Sequence, residues 1–210
     1  MRENTKQSSS QKNIFSSFLT SLTTKRVVYL ILIIGGIIFG NILFNGFVWD
    51  DWGSLLYNPQ ITDKSISHTF GHSAINTGIY YRPFFMAYLT TLYSVFSTHA
   101  FYYHFIQIAI HITNAFLAFY LFYKFIKKEL AFVLALFFLV HPIQGEAVAW
   151  ITATMVPLSF LFGTTALIIS LKKNLSIKHF ATIFLLLLLC VFTRETGFIY
   201  FVLILFFQII

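Results

Sequence analysis

The stretch Val27–Trp49, VVYLILIIGGIIFGNILFNGFVW, decides the fold. It holds no charged residue, follows Lys25-Arg26 and is stopped by Asp50-Asp51. As a helix, an uncharged apolar run of this length covers the ~30 Å of a bilayer's hydrocarbon. The rest of the chain has the same character. Of 210 residues, 58% are hydrophobic, 20% aromatic and only 10% charged, against about 25% charged in an average soluble domain. A water-soluble globule of this composition would expose apolar patches that monomers avoid. Disorder, collagen, coiled coil and disulfide scaffold are excluded by the same arithmetic.

On the N-terminal side of that run, Met1–Thr24 is rich in Ser, Thr, Asn and Gln and reads as a disordered tail. No small-residue cleavage site marks a removable signal peptide. On the C-terminal side, further apolar blocks follow at His104–Tyr123, Leu130–Gly145, Ala147–Leu171, Leu175–Thr193 and Thr196–Ile210. The ambiguous block is Phe84–Thr98. If it lies in the membrane surface, Lys25, Arg26, Lys124, Lys127, Lys128, Lys172, Lys173 and Lys178 collect on one side, leaving Lys64, Arg82 and Arg194 opposite. If it spans, the Lys124/Lys127/Lys128 cluster moves outside and the positive-inside rule fails. Thr90, Thr91, Ser94, Ser97 and Thr98 also recur at helical spacing as one polar face, as a surface helix requires.

The expectation is therefore an all-α, multi-pass membrane bundle of about six transmembrane helices over residues 25–210. It has a cytoplasmic N-terminus and a first external loop, about residues 50–103, carrying interfacial helices. Trp49, Trp52 and Trp150 fall at external span ends, where aromatic belts form. The net charge of +7 then reports orientation, not nucleic-acid binding. Asn174-Leu175-Ser176 fits a glycosylation pattern but falls on the cytoplasmic side. The single cysteine, Cys190, sits in an apolar run and reads as a buried, inert thiol.

Acidic residues outside the tail and the Glu129 turn are Asp50, Asp51, Asp63, Glu146 and Glu195, all on the external side. Asp50, Glu146 and Glu195 come from three separate span ends, so a bundle can gather them around one cavity. Ionisable groups at membrane depth are costly and mark functional sites. Asp50-Asp51 reads either as a stop signal between aromatic anchors or as a general base in a partly desolvated cavity. Neighbouring helical residues point about 100° apart, so only one of the two can face a given substrate. Arg82, before Pro83, is either a snorkelling anchor or a fixed fork for a lipid phosphate. His104, Gln107, His111 and Asn114 share one arc of the second span, where interhelical hydrogen bonding is the simpler reading; His104, nearest the external end, is the one placed to reach a cavity. His141-Pro142 and Gly145 make a turn that does not itself require His141 or Glu146. Arg194-Glu195 forms the next external corner, where the two could pair locally. His68, His72, His99 and His179 form no metal spacing.

The order Val48-Trp49-Asp50-Asp51, Asn58-Pro59, Tyr81-Arg82-Pro83, His141-Pro142-x-x-x-Glu146 and Arg194-Glu195-x-Gly197 resembles GT-C membrane glycosyltransferases. Within them it is most similar to the transmembrane and tetratricopeptide-repeat-containing protein O-mannosyltransferases and their bacterial relatives. The resemblance runs from about Val27 to the end of the chain. It implies an inverting enzyme of a bacterial plasma membrane or endoplasmic reticulum membrane, using a polyprenyl- or dolichyl-phosphate-linked sugar, such as mannose, and a protein or glycan hydroxyl acceptor. Asp50, with Asp51 beside it, would take the acceptor's proton, and Arg82 with Arg194 would neutralise the departing lipid phosphate. His104, His141, Glu146 and Glu195 would line the same cavity, and no metal or cofactor is implied. The chain has fewer spans than such enzymes and no tetratricopeptide repeats, so it is expected to be a truncated, N-terminal part. A transporter or lipid-carrier flippase built on the His104/Gln107/His111/Asn114 stripe, and a non-catalytic membrane fragment, are the competing readings.

Overall fold

The computed structural model describes residues 22–64 and 80–209, and among them every regular element is helical. His68, His72 and the tail reading for residues 1–21 lie outside the described residues. The first helix, α1 (Thr24–Phe39), starts where the Thr23 hydroxyl accepts the Arg26 N–H and tightens into a 3-10 turn at Gly40–Phe44. It begins three residues before the run read from the sequence. Leu22, assigned above to the tail, is buried, and Lys128 Nζ reaches its carbonyl at 3.4 Å. A π-helical turn (Trp52–Leu56) and the short α2 (Pro59–Thr62) follow. Asn58 caps α2 through the Gln60 N–H, and Pro59 occupies a first-turn position where no amide donor is needed.

Helix α3 (Pro83–Phe96) stops at Ser97, whose φ of 48° reverses the chain and whose carbonyl accepts the Tyr103 hydroxyl at 2.7 Å. The longest element, α4 (Ala100–Tyr123), is followed by α5 (Lys128–Val140), α6 (Gln144–Ala149), a 3-10 turn (Ile151–Thr154), α7 (Met155–Ser170), α8 (Ile177–Thr193), a second 3-10 turn (Glu195–Phe198) and α9 (Ile199–Ile209). The block read as Leu130–Gly145 is shorter in the fold: α5 has 13 residues, about 20 Å at helical rise, because Pro142 cannot continue it. The block read as Ala147–Leu171 is broken at Trp150 into a 3-10 turn and α7.

Three helical stretches are long and apolar enough to cross a membrane: Thr24–Phe44, Ala100–Tyr123 and Ile151–Ser170. They mark the chain as a membrane protein. Isoleucines and phenylalanines cover its outside; Ile37 is 76% exposed and α9 buries no residue. Such a surface is stable against lipid and would aggregate in water. Inside, α1, α4 and α5 share one apolar core around Val27, Ile31, Ile112, Ala115, Ala131 and Leu139. Helices α7, α8 and α9 share another around Ala166, Ile183 and Leu187. There Gly163 lets the Tyr200 ring of α9 lie directly on the α7 backbone, where a Cβ would overlap the ring. Cys190 is fully buried, with its sulfur 3.2 Å from the Ser159 hydroxyl, as an inert packing thiol would be.

Side-chain contacts sort the helix ends into two groups. Leu22 meets Lys128, Phe125 meets Phe207, and Gln208 donates to the Ser170 carbonyl, so those termini share a basic end. Trp49 meets Trp150, Thr152 meets Asp51, and Arg82 meets Met155 and Glu195, so those share the opposite, acidic end. Both ends of α3 belong to the acidic end, one through Arg82 and the other through Ser97 on the first turn of α4. Helix α3 thus lies across the bundle's end. Thr91, Ser94 and Thr98 of its hydroxyl face are exposed, whereas Thr90 is fully buried with no partner for its hydroxyl among the described residues.

Candidate functional site

The acidic end is organised by a strained corner. Past the 3-10 turn the chain leaves helix, and Trp49 takes φ 48°, a left-handed conformation costing a residue with a Cβ about 1–2 kcal/mol. Asp51 holds that corner. Its Oδ2 accepts the Val48 N–H at 3.0 Å, while its Oδ1 accepts the Thr152 N–H at 2.9 Å across the bundle. The Asp51 side chain is fully buried, and a buried charge persists only when hydrogen bonds satisfy it. Asp51 is therefore a clamp joining the end of the first span to the start of the Ile151–Thr154 turn. The Trp49 ring packs edge-on against Trp150, centroids 5.5 Å apart, over the same junction.

With Asp51 turned inward, Asp50 is exposed and lines a small, partly open cleft of about 50 Å³. Ser54, Arg82, Trp150 and Thr152 complete its polar wall, and Phe85, Met86, Leu89 and Met155 its apolar one. Of the two adjacent aspartates, Asp51 is buried in the bundle and Asp50 lines the cleft. Ser54, Trp150, Thr152 and Met155 were not read as wall residues. The sequence carried one signal for them: the run Trp150-Ile151-Thr152-Ala153-Thr154 interrupts an otherwise apolar block.

Arg82 enters the cleft from the N-terminus of α3 and is 7% exposed. Its Nε donates to Glu195 Oε2 at 2.9 Å and its Nη2 to Glu195 Oε1 at 2.6 Å, a two-pronged ion pair. Its Nη1 donates to the Met155 sulfur at 2.9 Å, and the Tyr80 ring lies 4.5 Å from its Cζ. These bonds from Arg82 hold the Glu195 carboxyl below the usual carboxylate range. The sequence left open a local Arg194–Glu195 pair; the glutamate's hydrogen-bonded partner is Arg82, 113 residues away. Arg194 closes α8 in extended backbone, and its buried Nε has no hydrogen-bond partner among the described residues.

The other candidate residues fall outside the cleft wall. His141 is half-buried in the turn after α5, where its Nδ1 accepts the Ile143 N–H and its ring packs on Phe137. Glu146 is exposed on α6. His104 is fully buried beside the Asn45–Gly46 backbone and within range of the Asp51 charge, with neither ring nitrogen in a well-formed hydrogen bond. It underlies the corner instead of lining the cleft. Below it, Gln107 Nε2 donates to the carbonyls of Ala147 and Trp150, His111 Nε2 pairs with the Leu139 carbonyl, and Asn114 Nδ2 donates to the Pro157 carbonyl. The stripe thus serves carbonyls at or near helix breaks of α5, α6 and α7, the interhelical use the sequence favoured. Among the described residues no group of His, Cys, Asp and Glu is arranged to hold a metal. No family model matches this chain, and no curated protein or solved structure matches it either.

Proposed function

We propose that the chain belongs to a membrane-embedded glycosyltransferase of the GT-C type, moving a sugar from a polyprenyl- or dolichyl-phosphate carrier to a hydroxyl acceptor. The observation that carries this reading is one cleft wall shared by an exposed carboxylate, Asp50, and a buried guanidinium, Arg82. Asp50 is the base: it takes the acceptor's proton as the acceptor oxygen bonds to the sugar's anomeric carbon. The bond from that carbon to the carrier phosphate breaks on the opposite face, inverting the centre, and the electron pair leaves with the phosphate. Arg82 stabilises the charge that develops there; Arg194 stands outside the cleft wall, next to Glu195 in the chain. Asp51 has a structural part in this scheme: it is buried and accepts the Val48 and Thr152 N–H groups.

The reading also sets the membrane arrangement. Helices α1, α4, α5, α7, α8 and α9 run alternately between the basic and acidic ends, so six crossings follow, with the acidic end external and the lysines cytoplasmic. The short crossing α5 needs local thinning of the bilayer or snorkelling from Lys127 and Lys128.

Membranes carrying the chain, supplied with a polyprenyl-phosphate mannose donor and a Ser/Thr peptide, test the chemistry. Asp50→Asn is expected to lower transfer by about 100-fold or more at equal protein level. Transfer at the wild-type rate by Asp50→Asn removes Asp50 from the mechanism.

A further inference from the structure

We infer that Glu195 is a positioning residue for Arg82, fixing one edge of its guanidinium so that the opposite edge is presented to a phosphate group in the cleft. This rests on the transferase reading and gives Glu195 a role in it, where the sequence had assigned only a place in the cavity wall.

A guanidinium carries five N–H donors in a rigid plane. Glu195 takes the Nε and one Nη2 donor at 2.9 and 2.6 Å. Of the rest, one on Nη2 and one on Nη1 form the end-on edge, and the second Nη1 donor points back along the side chain. That edge is directed at the cleft, since Nη1 touches Met155, a wall residue, and a thioether is only a weak acceptor. The Arg82 Cζ sits over the Tyr80 ring, 4.5 Å from its centroid, and the two bonds to Glu195 oppose rotation of the guanidinium. The side-chain exposures differ in the useful sense: 8% for Arg82 and 52% for Glu195. The carboxylate anchors from the rim, while the fork sits inside, where its remaining donors can meet a phosphate in the two-pronged manner.

Charge alone predicts the opposite behaviour. A carboxylate beside a phosphate site repels the ligand, so its removal should tighten binding. Positioning predicts that removal loosens it, and the sign separates the two. The full chain in lipid nanodiscs is titrated with farnesyl phosphate, with farnesol and inorganic phosphate as parallel arms, followed by tryptophan fluorescence. Arg82→Ala tests the underlying reading: if it binds farnesyl phosphate as well as wild type, or wild type binds the phosphate no better than farnesol, Arg82 is no phosphate ligand and both ideas fall. With Arg82 established, Glu195→Gln is expected to bind about 10-fold more weakly and Glu195→Asp to recover most of that loss. A Glu195→Gln variant that binds as tightly as wild type, or more tightly, overturns the positioning role while leaving Arg82 in place. Thermal melting of each variant separates a general loss of fold, which lowers the melting point without changing the folded fraction's affinity. Competition by inorganic phosphate at equal concentration assigns the site to the free anion and leaves the role of Glu195 unchanged.

Discussion

The two ends of the bundle use charge in opposite ways. At the basic end most charged groups are exposed, and their contacts are long or local apart from the 3.4 Å reach of half-buried Lys128 to the Leu22 carbonyl. Lys124 and Lys128 lie 5.3 and 5.6 Å from the rings of Tyr120 and Tyr123. Ser176 and His179 cap α8 reciprocally, within one helical turn. At the acidic end, Asp51 and Arg82 are buried and their partners are remote in sequence: Asp51 with Thr152, and Arg82 with Glu195. A solvated lysine near a headgroup needs no fixed partner. A buried carboxylate or guanidinium does, and losing that partner leaves an uncompensated charge. The acidic end is therefore the end whose geometry is fixed.

The sharpest way to break this contrast is Asp51→Leu. It leaves the Val48 and Thr152 N–H groups without acceptors, and a loss of about 3 kcal/mol is expected in detergent melting. Asp50→Asn, one residue away, should stay within about 0.5 kcal/mol of wild type. Equal losses for the two would mean the corner is not held by Asp51. Next is Gly197→Ala. A Cβ there would lie 2.6 Å from the Cys190 sulfur and 3.0 Å from its backbone. Backbone cannot yield cheaply, so a cost of about 2 kcal/mol is expected, and a melt unchanged from wild type would show that the Glu195–Phe198 turn can move off α8.

At the basic end, Ser176→Ala should cost about 1 kcal/mol, the ordinary worth of a helix cap. A loss as large as that of Asp51→Leu would erase the contrast. The smallest effect concerns pH. The native Glu195 carboxyl titrates below its ordinary value of 4.5 because Arg82 binds its ionised form. The ion pair therefore stabilises the fold above about pH 4.5, and that contribution is lost as pH falls through the lowered native value. With Glu195 half-exposed, the effect is under about 1 kcal/mol. Melting curves of wild type and Glu195→Gln should converge as the medium is acidified, and curves that stay parallel would place the pair's contribution elsewhere.

Much of this was legible in the residues. The uncharged run after Lys25-Arg26 announces the first helix, and lysine placement separates the two ends. The α4 arc of Gln107, His111 and Asn114 reads correctly as interhelical glue, because 3.6-residue periodicity puts those amides and imidazoles on one buried face. The candidate site was legible in part. Asp50 and Arg82 share a wall, but His104 lies beneath the corner, and His141 in its turn and Glu146 on α6 stand outside the wall. The helix breaks at Pro142 and Trp150, which moved those residues, depend on how the chain re-enters the bundle.

Composition and local spacing determined that this chain is helical, apolar outside and polarised between a lysine-rich end and an acidic one, because hydropathy and period act over a few turns. Only the tertiary structure decided which aspartate faces the cleft and which guanidinium Glu195 holds. Those choices join residues a hundred positions apart, and burial makes each of them satisfy its charge with whatever partner the packing brings within 3 Å.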